Sequence, residues 1–170
     1  MMIRLWVFGL ACALSVGVAH AQANFWQVQT SDDGTVIATA GATQTGSDGT
    51  IVTLLNIGFN GQRGCRAELG FAVLKGTTYG KAIGKQSPPR TEPILLMVDG
   101  ARVATPAPTL VKYDNGWEAV SAAAGTILEA ISAGTTASVR ILPGTPLFQL
   151  PISGAGAAIT QAQRECANSR

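Results

Sequence analysis

Thr35-Val36-Ile37-Ala38-Thr39-Ala40-Gly41-Ala42, a break at Gly46-Ser47-Asp48-Gly49, then Thr50 through Phe59: this stretch decides the fold class. Its two halves are rich in Thr, Val, Ile and Ala, and a Gly/Ser/Asp cluster divides them. That is the pattern of two strands joined by a tight turn. The junction before the first half (Asp33-Gly34-Thr35-Val36-Ile37) resembles the junction before the second (Asp48-Gly49-Thr50-Ile51-Val52). A turn used twice in a meander explains the likeness better than a duplicated domain.

Working outward, Phe25–Thr30 alternates apolar and polar residues as a half-buried strand does. Asn60-Gly61-Gln62-Arg63-Gly64 supplies a turn and Cys65–Leu74 the next strand. From Lys75 to Pro93 three glycines, Pro88-Pro89 and Pro93 predict a long surface loop. Ile94–Val98 reads as a buried central strand that turns at Asp99-Gly100. Leu110–Tyr113 and Trp117–Ser121 flank Asp114-Asn115-Gly116, a hairpin signal because Asn-Gly tolerates positive φ. Thr126 and Glu129 have capping-box spacing, with Gly134 placed to end the helix they open. Thr135–Leu142 and Leu147–Ile152 are strand-like. From Gly154 to about Ala167 a helix puts Ala155, Ala158, Ile159, Ala162 and Cys166 on one face. The fold class expected is α+β: a mostly antiparallel β-sheet or sandwich with two short helices, the second C-terminal.

Residues 1–23 have the marks of a cleavable signal peptide. Arg4 is the positive start, Leu5–Ala19 is uncharged, and Ala19-His20-Ala21-Gln22-Ala23 offers small-x-small cleavage after Ala21 or Ala23. As a retained membrane helix the run is too short for the ~20 residues a span needs. Gly9, where a lipoprotein signal would carry Leu before Cys12, speaks against lipid attachment. The expected product is one domain, 24–170, in the periplasm or secreted, with no membrane span.

Export narrows the chemistry. The single histidine, His20, leaves with the signal. Its loss removes Ser–His–Asp and Cys–His arrangements and every histidine-bearing metal site. No Ser-x-x-Lys occurs, and no glycine loop runs into Gly-Lys-Ser/Thr. Asp48-Gly49-Thr50 lacks the further carboxylates of a calcium loop. Asp33, Asp48, Asp99 and Asp114 lie at Gly or Asn-Gly turns, which leaves few acids for a catalytic pair. No catalytic residue, metal site or cofactor is assigned, and the chain reads as a non-enzyme. Trp26 and Trp117 read as core or sheet-face aromatics rather than ligand platforms.

Of three cysteines, Cys65 and Cys166 remain after cleavage. An even pair in an exported chain reads as a disulfide, the alternative being two buried free thiols. Closing about 100 residues is worth ~4–5 kcal/mol in the chain-entropy model.

Arg63, Arg66, Lys75, Lys81, Lys85 and Arg90 make a basic segment with Glu68 its one acid. Such asymmetry marks either an anionic partner or a solvated rim. Aromatics are too few in it for nucleic-acid binding: Phe71 and Tyr79 alone. Within the expected loop, Lys75, Tyr79, Lys81, Ile83, Lys85 and Arg90 are the candidate partner-binding residues, for a protein or other envelope component of acidic character.

Across the chain, Phe25-Trp26-Gln27-Val28, the Val98-Asp99-Gly100 turn, the helix and strand of Ile127–Ile141 and Leu150-Pro151-Ile152-Ser153-Gly154 entering a helix form an ordered pattern. It is similar to small periplasmic proteins of the invasion-associated locus B type. That family has a cysteine closely after its first Trp-x-Val, where this chain has Gln29. The resemblance implies a non-enzymatic envelope protein of a Gram-negative bacterium, linked to host-cell invasion or surface stress, and transfers no catalytic residue. The expected function is a non-catalytic interaction role. The rivals are an inhibitor or immunity protein that inserts the Lys75–Pro93 loop, a secretion-apparatus accessory, and a carboxylate-dependent cell-wall hydrolase.

Overall fold

Alternation carries directly into burial along the deciding stretch. The structure, a computed structural model, describes residues 26–47, 49–85, 94–140 and 146–169. Asp48, Arg90 and the signal lie outside the described residues. Strands β1 (Gln27–Thr30), β2 (Thr35–Gly46) and β3 (Gly49–Asn60) form an antiparallel meander. Val36, Ala38 and Ala40 pair with Phe59, Ile57 and Leu55, and all six are buried. The residues between them face outward because successive side chains of a strand point to opposite faces.

A single 3-10 turn, Gly61–Arg63, leads into β4 (Arg66–Lys75), which pairs with β3. Strands β5 (Ala82–Lys85), β8 (Thr109–Tyr113) and β9 (Gly116–Ala122) complete a seven-stranded sheet of order β1-β2-β3-β4-β9-β8-β5. A second sheet of order β11-β10-β6-β7 is built from β6 (Leu95–Val98), β7 (Ala101–Val103), β10 (Thr136–Arg140) and β11 (Phe148–Pro151). Every ladder described is antiparallel. Helices α1 (Gly125–Ala133) and α2 (Ala155–Asn168) complete the α+β fold.

One core joins these layers. Leu55, Ile57, Leu69 and Phe71 of the large sheet meet Leu96, Val139 and Leu150 of the small one, with Ile127 and Ile131 of α1. Phe71 sits at the crossing, its ring centroid 5.9 Å from Phe148 and 6.3 Å from Trp117. The buried face of α2 is Ala155, Ala158, Ile159, Ala162 and Cys166, as the helical spacing predicts. Cys166 bonds Cys65 just after the 3-10 turn, across a separation of 101 residues. The bridge fixes the end of α2 to the start of β4. Trp26, just before β1, is partly buried, its indole donating to the Ile152 carbonyl at 3.0 Å.

Three expectations need correction. The Lys75–Pro93 stretch is not irregular throughout, since β5 pairs with β8 inside it. Four residues with a bulge and Gly84 are too short to register as alternation. Thr126 does not cap α1, which starts at Gly125 after Ala124 with no side-chain cap bond, so Glu129 has no box to close. Gly134 ends α1 as expected, at φ −83°, and a Cβ there would run into Val98. The β8–β9 turn likewise uses no positive φ at Asn115 or Gly116. Glycine is needed at 116 because a Cβ would strike the Val73 carbonyl of the neighbouring strand.

Candidate functional site

Large apolar side chains left in water cluster at one end of the seven-stranded sheet. Among the described residues these are Ile51, Tyr79 and Ile83, with Ile83 the most open at 54 % exposed. Ile51 pairs with Lys75 at the end of β4, Leu74 with Gly116, Gly116 with Tyr113, and Tyr113 with Ala82 of β5. The ladder thus carries all three toward the same end. Ile83 sits at the β5 bulge on the outermost strand of the sheet, between exposed Lys81 and exposed Gly84. Lys112, opposite Gly84, is exposed beside it.

The β8–β9 turn fixes the loop before β5. Asn115 donates from Nδ2 to the carbonyls of Lys75 and Thr78, both at 2.8 Å, and accepts from the Gly80 amide at 2.9 Å. Asp114 Oδ1 accepts from the Lys81 amide at 3.0 Å, and the Asp114 amide returns a bond to the Lys81 carbonyl. Two further backbone bonds, from Lys75 to Asn115 and from Gly76 to Thr50, close its base. The two residues that signal the hairpin also template the loop.

Tyr79 differs from a free apolar anchor. Its ring packs edge-on against Tyr113 with centroids 5.1 Å apart, and its hydroxyl donates to Glu118 Oε1 at 3.2 Å. Tyr113 donates to Glu118 Oε2 at 3.2 Å, and Asn56 Nδ2 donates to both Tyr79 Oη and Glu118 Oε1. Desolvation first, then the Glu118 charge, raises the Tyr79 phenol well above its usual range. The same two causes in the same order push Tyr113 up to about 12. This Asn56–Tyr79–Tyr113–Glu118 cluster escaped the sequence reading. Its signal was a glutamate and an asparagine inside otherwise apolar strands, next to mid-strand Gly70.

Of the residues predicted to bind a partner, Lys75, Tyr79, Lys81 and Ile83 lie on this end, and Lys85 closes β5. Arg63 is separate: it pairs with Glu68 at 2.7 Å near the disulfide. Among the described residues no group of three or more His, Cys, Asp and Glu side chains is placed to hold a metal ion. The two glutamates on the outer face already have strong donors, Arg63 on Glu68 and three groups on Glu118. No helix among the described residues is long and apolar enough to cross a membrane. Comparison of the chain with protein-family models, with curated proteins and with solved structures finds no match.

Proposed function

We propose that this protein is a non-catalytic exported binding protein whose contact surface is the Lys75–Lys85 end of the large sheet. The observation that carries the reading is Ile83, an apolar side chain 54 % exposed on an outermost strand, flanked by Lys81 and Lys112. An apolar anchor within a basic rim suits a partner with an apolar pocket edged by acids. The resemblance to envelope proteins of the invasion-associated type points to the same compartment and to the same absence of chemistry.

The inhibitor or immunity version gains support from the loop itself. Side-chain and backbone bonds from Asp114 and Asn115 hold residues 75–81 in one shape. A loop ordered before binding loses less entropy on docking. The test is a pull-down from envelope extract with purified protein, wild type beside Ile83→Asp. The partner should be retained by wild type and lost with Ile83→Asp at unchanged melting temperature. Equal retention by both would move the contact surface elsewhere. A peptidoglycan digestion assay checks the non-catalytic half, where release of soluble fragments would contradict it.

A further inference from the structure

The outer face of the large sheet is open at mid-strand Gly58, while the nearby Gly70 is buried under the Glu118 and Asn56 side chains. Gly58 pairs with Ile37 and Glu68, and Gly70 pairs with Asn56 and Val120, so the two lie diagonally on β3 and β4. A Cβ on Gly58 would meet nothing nearer than a Thr35 methyl at 3.5 Å. Over Gly70 lies the Glu118 carboxylate, 2.9 Å from where a Cβ would stand. The result is a depression of about 500 Å³, continued past Glu68 and Val120 by a second of about 440 Å³ toward Thr109 and Val111.

Charge lining the first depression has one sign. Asp32, Asp33, Glu68 and Glu118 line the first depression without a Lys or Arg. Arg63 borders the second and is held by Glu68. The chain as a whole is formally +2, so the negative field is local. Asn56 Oδ1, buried beside Glu118, is an acceptor with no donor.

We infer that this face docks a basic, extended segment of a protein partner, arginine-rich in character. Its main chain lies over Gly58, and its guanidinium groups meet Glu118 and the Asp32–Asp33 turn. The strands crossed run from β2 to β8 at ~4.8 Å spacing, which about six extended residues cover. Guanidinium suits the site because its planar donors match carboxylates. The surface is distinct from the basic Lys81–Ile83 end and takes a partner of opposite charge.

Fluorescence anisotropy with a labelled peptide of alternating arginine and serine tests this, using an equal-length glutamate–serine peptide as control. The arginine peptide should bind the wild-type protein more tightly than the control, and salt should weaken it. Glu118→Gln and Asp32→Asn should each weaken binding by about fivefold. Asp32 is exposed, so its variant carries little folding risk. Gly58→Val should block the floor with every acid intact. Control variants Glu129→Gln and Glu165→Gln, acids carried on α1 and α2, should bind like wild type. Failure of the arginine peptide to bind overturns the inference. So do face variants that bind like wild type, or helix variants that lose as much as the face variants.

Discussion

Glu118 sets the behaviour of both tyrosines in the sequence, Tyr79 and Tyr113, which makes the cluster readable without a probe. Desolvation and the carboxylate raise both phenols, Tyr113 to about 12. A group whose folded pKa is raised stabilises the fold fully below its unfolded pKa, near 10, and loses that contribution as pH climbs through the folded value. Near-ultraviolet titration should therefore show little phenolate at about pH 10, where an ordinary tyrosine is half ionised. With Glu118→Gln both transitions should move down, and an ordinary wild-type transition near 10 would contradict the cluster. Asp99 gives the acid-side counterpart. Its carboxylate accepts from the Thr135 hydroxyl at 2.7 Å and from the Thr136 amide at 2.8 Å, and these bonds hold its pKa below the usual carboxylate range. Its contribution is present above about pH 4 and is lost as pH falls through the folded pKa. Denaturation midpoints should show Asp99→Ala less stable than wild type at neutral pH, with the gap closing in strong acid. At the β8–β9 turn, Asn115→Ala removes two donors to carbonyls and one acceptor. At ~0.5–1.5 kcal/mol per net bond the cost is about 1.5–4.5 kcal/mol. Faster amide exchange at Gly80 and Lys81 would locate that loss in the loop.

Helix α2 and the Cys65–Cys166 bridge act together, because Cys166 is both the last buried residue of the helix and one half of the crosslink. Replacing both cysteines with alanine should cost roughly 2–5 kcal/mol. Mass analysis of unreduced wild-type protein should find one intramolecular bridge and no alkylatable thiol, and two free thiols would contradict it. At this scale the sequence was most legible. The α2 face follows a period of 3.6 from Ala155 to Cys166, and β2 and β3 alternate in burial over 35–40 and 53–60, long enough for the pattern to dominate. Short elements were less so: β5 has four residues and a bulge, and α1 begins without the side-chain cap that Thr126 and Glu129 suggest. Gly116 and Gly134 signalled the right boundaries for the wrong reason. Each is glycine because a neighbouring strand or side chain comes too close for a Cβ, and that neighbour is tens of residues away in sequence. The Glu118 cluster was hidden for the same cause, since Asn56, Tyr79 and Glu118 meet only when β3, β9 and the loop before β5 are assembled.

Taken whole, the molecule is a two-sheet scaffold whose disulfide and α2 secure one region while its exposed apolar side chains gather at the other end of the large sheet. The helices and small sheet cover the inner face of the large sheet with one shared core. That division lets the Lys75–Lys85 end change without disturbing the fold. Lys81→Glu should slow association with an acidic partner, most at low salt, because an exposed rim charge acts mainly on encounter. Tyr79→Ala should shorten the lifetime of the complex and also lower the melting temperature, because it removes the hydroxyl bonds with Asn56 and Glu118 and the ring contact with Tyr113. The most direct test places a photoreactive amino acid at Ile83, with a second variant carrying it at exposed Gln163 of α2. Illumination in cells should join position 83 to one partner, and Lys81→Glu with Lys112→Glu should abolish that crosslink while position 163 gives none. A crosslink at position 163 with none at 83, or one at 83 that survives both charge reversals, would contradict a contact surface at this end of the sheet.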